Sequence, residues 1–181
     1  ALAEPSFPAA LAALLHVLEP EKNAPGSAPA ASSAVQTANE VGERWRLSNK
    51  ERELTVWLLE HYGRLRQAAN QPWSAVQPLL VDPGAADLIA LHESVESARG
   101  GLHAAQARED AAFCRQKLAL PKAELDPPPL LTGNDLLAHG VPKGVIYKRL
   151  LAGVRAAQLD GKIRTRDEAL ALVDRLLRDS Q

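Results

Sequence analysis

The stretch LLTGNDLLAHGVPKGVIYKRLLAGVRAAQLDGKIRTR, Leu130 to Arg166, carries the densest set of local signals in the sequence. Its first part predicts a short helix. Thr132 and Asp135, three residues apart, have the spacing of a capping box, in which each side chain hydrogen-bonds the backbone of the other residue. The helix should begin after Thr132 and stop at Gly140, since glycine commonly follows the last turn of a helix.

A turn flanked by glycines, Gly140 to Gly144, leads into a second predicted helix. Pro142 fixes φ near the value of a helix entry, and the glycines permit another group to approach the backbone closely. This helix should run to about Leu159, because Asp160-Gly161 is a typical helix end. Apolar residues recur at helical spacing and should face a core: Ile146, Leu150, Val154 and Ala157.

The stretch is strongly basic, with seven cationic residues against two acidic ones. A helix N-terminus that follows a glycine turn and a lysine is suited to binding a phosphate, and repeated phosphates indicate a nucleic-acid backbone. The candidate RNA-binding residues are therefore Lys143, Gly144, Lys148, Arg149, Arg155, Lys162 and Arg164. A solvated basic face on an ordinary helical hairpin is the alternative interpretation of the same charges.

Three strings in this region carry a resemblance to a known family. PLLTGNDL at 129–136, QLDGKI at 158–163 and TRDEA at 165–169 resemble the C-terminal tail of bacterial class II tRNA nucleotidyltransferases, the family of CCA-adding enzymes and poly(A) polymerases. RLSNKE at 46–51 is similar to a body segment of that family. The turn departs from the family pattern, because Lys143 and Val145 replace the prolines that flank Gly144.

The resemblance implies an RNA-binding part of a larger enzyme. We expect tRNA or other structured RNA as the partner, gripped at the acceptor and T-arm region by its shape and phosphates. The family's catalytic head would hold Mg²⁺ and CTP or ATP, so this chain itself should bind no cofactor and catalyse nothing. The absence of methionine, and a start at what corresponds to the middle of the family's proteins, indicate an excised fragment that partners the missing head.

Composition predicts an all-α fold, since Ala and Leu are abundant while aromatic residues make up 4% of the 181 residues. We expect a helical body over residues 1–120, resembling a decayed HD-type domain, with a flexible loop at 21–33. A Pro-rich connector at 121–129 should separate the body from a helical tail at 130–181. The predicted helices outside the opening stretch are Phe7 to Leu18, Ser33 to Arg46, Asn49 to Leu65, Trp73 to Leu80, Ala86 to Arg99, Leu102 to Leu118 and Thr165 to Arg178.

Residues for metal or nucleotidyl chemistry are missing from the expected places. The family's Asp-x-Asp and Gly-Ser-x-x-Arg-Asp motifs do not occur, and Glu109-Asp110 is followed by Phe113 where the neck motif has arginine. We interpret Glu109-Asp110 as a solvated helix face. His16 is followed by Val17 where an HD-type site has aspartate, and valine offers no donor atom to a metal. An HD-type phosphohydrolase is therefore disfavoured, and no metal site is expected.

The remaining signals favour a cytoplasmic protein without a membrane span. A lone cysteine, Cys114, fits a reducing compartment, and no apolar run reaches the length of a membrane helix. A net charge of −1 excludes a uniformly basic nucleic-acid binder but allows a local basic patch. A helical protein-interaction or scaffold module is the main alternative, and steep salt dependence of binding would distinguish RNA binding from it.

Overall fold

The computed structural model describes residues 6–18 and 33–178, which form ten α-helices and no strand. The predicted all-α class is therefore confirmed. The helices are Phe7–Leu15 (α1), Ser33–Arg44 (α2), Asn49–His61 (α3), Trp73–Leu80 (α4), Ala85–Ala98 (α5), Gly101–Leu118 (α6), Lys122–Leu125 (α7), Gly133–Ala138 (α8), Ile146–Leu159 (α9) and Arg166–Arg178 (α10). Short 3-10 helices cover His16–Leu18, Tyr62–Leu65 and Ala68–Asn70. Among the helices of the described residues, none combines the length and apolarity that crossing a bilayer requires.

The chain divides into two compact units, of which the first holds the described residues up to Asn70 together with Asp82–Ala119. In this unit α5 packs along α6, and α1 packs against α2, α3 and α5. Ser48 and Glu51 have the spacing that predicts a capping box, and the structure confirms it, since Glu51 N–H donates to Ser48 Oγ and Ser48 N–H donates to the Glu51 carboxylate. The larger side chains that this core buries completely include Leu58, Leu59, Leu65, Leu88, Ile89 and Leu91.

The first helix is so apolar that its sequence predicts burial on most sides, and the structure shows it to be less buried than that. Only its inner face, which includes Leu11 and Ala12, is buried, while Phe7, Leu14 and Val17 are each at least 45% exposed. The helix is apolar on both faces, so composition could not show that one face meets solvent. The predicted flexible loop at 21–33 lies outside the described residues, except for Ser33 at the start of α2.

The second unit holds Gln71–Val81 and the described residues from Leu120 onward. Its core forms where α8, α9 and α10 bring together one apolar stripe each, as the predicted spacing requires. The buried members are Leu131, Leu136, Val141, Leu150, Val154, Ile163, Ala169 and Val173, with Ile146, Ala157, Leu172, Leu176 and Leu177 partly buried around them.

The position of α4 differs from the sequence-based division, which placed this helix in the body over residues 1–120. In the structure α4 packs on α9 and belongs to the second unit. Polar contacts hold it there, among them Ser74 N–H, which donates to Asp160 Oδ1 at 2.9 Å, and Gln77 Nε2, which donates to Leu125 O at 3.0 Å. These partners are 86 and 48 residues apart in the chain, which is why no local pattern indicated the grouping.

Candidate nucleic-acid interface

The turn that holds Lys143 and Gly144 begins with a tightly bonded helix end. Gly140 has φ +86° and follows α8, where its N–H donates to Leu137 O at 3.0 Å. Val141 N–H donates to Leu136 O, also at 3.0 Å, and both of these side chains are buried. This is the bonding pattern of a Schellman motif, with its apolar contact between the residue after the glycine and the last turn. The start of the turn is therefore fixed by the core.

The rest of the turn is open to solvent. Lys143 and Gly144 are exposed, and Val145 is 96% exposed. Tyr147 closes the turn from the other side, since its hydroxyl donates to Val141 O at 2.6 Å and its N–H donates to Gly144 O at 3.1 Å. No side chain caps the start of α9. The turn therefore presents Lys143 beside the start of a 14-residue helix, where Gly144 O accepts the N–H of Tyr147 and no side chain caps the other first amides.

Gly144 does not need to be glycine for the fold. Its φ is not positive, and a Cβ built there would meet nothing within 4 Å. The expectation that this glycine permits close approach can therefore concern only a bound group, not a neighbouring part of the chain.

Lys143 and Lys148 are the candidate cations that stay unpaired. Lys148 is exposed on the first turn of α9, while Leu150 on the same helix is buried. Within residues 6–18 and 33–178 neither lysine forms an ion pair. Arg149 is also exposed but, as the residue after Lys148, lies about 100° further around the helix.

Arg155, by contrast, is occupied within its own unit. Its guanidinium lies 2.6 Å from Asp126 Oδ1, donates to Pro127 O at 2.7 Å and donates to Gln158 Oε1 at 3.2 Å. Gln158 in turn donates to Pro128 O at 2.7 Å. These contacts bind the Pro-rich connector to α9, so Arg155 has a structural role that its position on the helix did not suggest.

The two remaining candidates also lie next to carboxylates. Lys162 Nζ is 3.1 Å from Asp160 Oδ2, and the backbone N–H of Arg164 donates to Glu168 Oε2 at 2.6 Å. Burial by itself would raise the pKa of Asp160, but hydrogen bonds from Ser74 and Lys162 outweigh it and the pKa is lowered. Hydrogen bonds from the backbone of Arg164, and then of Thr165, lower the pKa of Glu168.

The excess of positive charge that the sequence indicates is therefore reduced by pairing. Arg166, the seventh cation of the stretch, lies 2.6 Å from Asp135. The pKa of Asp135 is lowered, first by the hydrogen bonds that it accepts from Thr132 and then by Arg166. Carboxylates thus engage Arg155, Lys162 and Arg166. The surface best suited to a polyanion is therefore limited to the loop that holds Lys143 and to the first turn of α9, which holds Lys148.

A polar site in the first unit was missed by the sequence interpretation, which placed Glu109-Asp110 on a solvated face. Glu109 is exposed, but Asp110 is only 1% exposed. Its carboxylate accepts the backbone N–H groups of Gln67 at 2.9 Å and Ala68 at 3.0 Å. His92, also 1% exposed, lies with Nε2 3.3 Å from Asp110 Oδ2. Asp110 therefore holds the left-handed turn at Gln67, whose φ is +55°.

A second buried carboxylate lies one helical turn beyond His92. Glu96 accepts from Arg66 Nη2 at 2.8 Å and has Arg99 and His103 within 3.9 Å. Burial would raise the pKa of Glu96, but the hydrogen bond and charge of Arg66 outweigh it and the pKa is lowered. Glu96 is therefore engaged by basic side chains of its own unit.

Cys114, the one cysteine of the sequence, is buried. Burial, followed by the negative charge of Asp110, raises the pKa of the Cys114 thiol to about 11, so it stays protonated and unreactive at neutral pH. In the part of the chain that the structure describes, no three side chains of the His, Cys, Asp and Glu types are grouped so that they could hold a metal ion.

Comparison with protein-family models, curated proteins and solved structures gave no match to this chain. The resemblance to tRNA nucleotidyltransferases therefore stays a prediction that depends on the quoted strings.

Proposed function

We propose that the second unit binds structured RNA through phosphates at the turn before α9. The observation that carries this proposal is a pair of exposed lysines, Lys143 and Lys148, which form no ion pair within the described residues and lie at a helix start that no side chain caps. In this proposal the chain belongs to a tRNA nucleotidyltransferase-like protein and grips the acceptor and T-arm region of tRNA, while the parent's catalytic head adds nucleotides.

The physical basis of the proposal is that the backbone of the turn is held in place while exposed lysine side chains lie beside it. Helix N-termini attract anions because their amide groups and the helix dipole present partial positive charge. The Schellman end of α8 and the hydroxyl of Tyr147 hold the turn in place, so a phosphate would not have to order it. Recognition of this kind depends on RNA shape and backbone, not on base sequence.

The proposed surface is smaller than the one predicted from sequence. Lys143, Gly144 and Lys148 form its centre, and Arg149 and Arg164 lie on the exposed parts of α9 and of the chain before α10. Arg155 and Lys162 are assigned structural roles, because RNA would have to compete with Asp126 and Asp160 for them.

The test is titration of the whole chain with tRNA and with a double-stranded RNA of equal charge, at low and at moderate salt. The variant Lys143→Ala/Lys148→Ala should bind both RNAs more weakly. Lys122→Ala/Arg175→Ala removes the same charge from exposed positions of the same unit and should bind like the parent. Equal affinity of the two double variants would refute the proposed surface.

A second candidate, a protein-interaction module, is favoured by one observation. Val145, at 96% exposed, and Leu137, at 47% exposed, flank the same turn and are apolar. An apolar partner docked there would lose affinity on Val145→Asp while showing little dependence on salt. RNA binding should instead weaken steeply as salt rises, since neutralised phosphates release counterions.

A further inference from the structure

An exposed tryptophan stands between two arginines at the corner where α2 meets α3. Trp45 is 57% exposed, and Arg44 and Arg46 on either side of it are exposed as well. The ring of Phe7 lies 6.3 Å from the indole, centroid to centroid, and supports it from α1. A large aromatic surface is therefore held in solvent at a defined place.

The backbone of this corner is rigid at both ends. Leu47 N–H donates to Gly42 O at 2.9 Å and Arg46 N–H donates to Glu43 O at 3.2 Å, which is the Schellman pattern at the end of α2. The capping box of Ser48 begins α3 immediately afterwards. Only four residues connect the two helices, so the side chains of the corner are positioned without a flexible loop.

Arg46 occupies a backbone position that favours glycine. Its φ is +55°, in the left-handed region where a side chain costs free energy and where the Schellman motif usually places glycine. Arginine at this position places a cationic residue directly after Trp45 in the chain. Backbone strain of this kind is concentrated at functional sites.

The cations of the corner are not neutralised. Within the described residues Arg44, Arg46 and Lys50 form no ion pair, and Glu40, one turn before Arg44, is exposed without pairing to it. Glu51, the first acidic residue of α3, is engaged by Ser48 in the capping box. Arg44, Arg46 and Lys50 therefore stand exposed and without ion pairs near Trp45 in the chain, although Glu43 and Glu53 in the same two helices are exposed as well.

We propose that the Trp45 corner, defined as Arg44, Trp45, Arg46 and Lys50, binds an unpaired segment of nucleic acid. A base stacks on the indole, and the three cations hold the adjoining phosphates. Exposed aromatics in a cationic setting bind single strands in this way, because every base has a π-face and every linkage has a charge. The corner uses residues other than those of the proposed turn surface and can succeed or fail independently of it.

An apolar protein partner fits the corner less well. It would cover Trp45 and Phe7 but leave three cations next to the interface without counter-charges, and desolvating unpaired charge is unfavourable. A partner that carries both flat rings and regularly spaced negative charge satisfies every group of the corner.

The experiment titrates the full chain with a short single-stranded oligoadenylate while following tryptophan fluorescence. Stacking should quench the emission of the native protein. Trp45→Leu should abolish most of this quenching and weaken binding about tenfold, whereas Trp45→Phe should weaken it less because the ring is kept. Arg46→Gly, which also suits the left-handed backbone, should weaken binding and reduce its salt dependence.

Two controls make the outcome specific. Arg108→Gln removes an exposed charge elsewhere in the same unit and should leave binding unchanged. Lys143→Ala/Lys148→Ala should leave the oligoadenylate signal intact, which separates this site from the turn surface. The proposal is overturned if the chain does not bind the oligonucleotide, if Trp45→Leu binds as tightly as the native protein, or if Arg46→Gly and Arg108→Gln lose affinity equally.

Discussion

Asp110 and its neighbour Glu109 both carry a carboxylate, but Asp110 is buried and Glu109 is exposed. Asp110→Ala would remove the acceptor of the part-buried Gln67 N–H and the buried Ala68 N–H, together with the polar partner of the buried His92. We expect a loss of about 3 kcal/mol in the free energy of unfolding. Glu109→Ala, at an exposed position, should change it by less than about 0.5 kcal/mol. Urea denaturation of both variants measures the contrast, and similar losses would contradict the assigned role.

Asp160 gives a pH-dependent prediction. Its pKa is below the ordinary 3.8, so its charged form stabilises the fold at higher pH, and this contribution is lost as the pH falls through the lowered pKa. Asp160→Asn should destabilise the second unit by about 1 kcal/mol at pH 7, since the charged acceptor for Ser74 N–H in the first turn of α4 is replaced. The difference from the native protein should shrink in thermal unfolding below about pH 3.8. A difference that stays constant with pH would contradict the assignment.

Single residues show what the sequence could and could not supply. Asp110 falls on the same helical face as Ala107, Ala111 and Cys114, all buried, and this spacing was a signal that could have identified it. The partners of Asp160 and Arg155 had no such signal, because Ser74 and Asp126 are brought close only by the tertiary fold.

At the scale of elements, alanine substitutions should distinguish a glycine that a helix end requires, Gly161, from one that the fold does not require, Gly144. Gly161 has φ +71° and ends α9 in a Schellman motif, where Lys162 N–H donates to Ala157 O at 2.9 Å. Gly161→Ala should cost about 1 kcal/mol of stability, because alanine is strained in the left-handed region. Gly144→Ala, with ordinary φ and open space, should cost less than about 0.5 kcal/mol. Equal melting temperatures for the two variants would contradict the geometry of these turns.

A second prediction at this scale concerns how the Pro-rich connector at 121–129 is held on α9. Arg155 reaches an aspartate, a backbone carbonyl and a glutamine amide oxygen with one planar guanidinium. Lysine cannot reproduce this fork, so Arg155→Lys should lose about 1 kcal/mol and expose the segment around Pro127 to proteolysis. Arg175→Lys, at an exposed position of α10 in the same unit, is the matched control. If Arg155→Lys is as protease-resistant as the control, the connector is held by other contacts.

Helix positions were largely predictable because their signals are local. The capping boxes at Ser48, Thr132 and Thr165 and the apolar stripes of α9 and α10 all lie within one or two helical turns. The membership of α4 in the second unit was not predictable, since it depends on contacts made far along the chain. The exposed face of α1 was missed because an all-apolar helix has no pattern that marks its outer side.

For the whole molecule, the difference between local signals and tertiary contacts also decides which charges are available for binding. A count along the sequence gives an excess of five positive charges between Leu130 and Arg166, but pairing within the fold occupies Arg155, Lys162 and Arg166. Sequence shows which charges are present, and only the structure shows which remain available. The functional proposal therefore depends on Lys143 and Lys148 and not on the size of the cationic stretch.

The salt dependence of tRNA affinity tests this account most directly. Affinity should be measured over a series of salt concentrations for the native chain, for Lys143→Ala/Lys148→Ala and for Lys122→Ala/Arg175→Ala. The account predicts that the slope of log affinity against log salt falls by about one for each turn lysine removed, while the control double variant keeps the native slope. A native slope in Lys143→Ala/Lys148→Ala would contradict it.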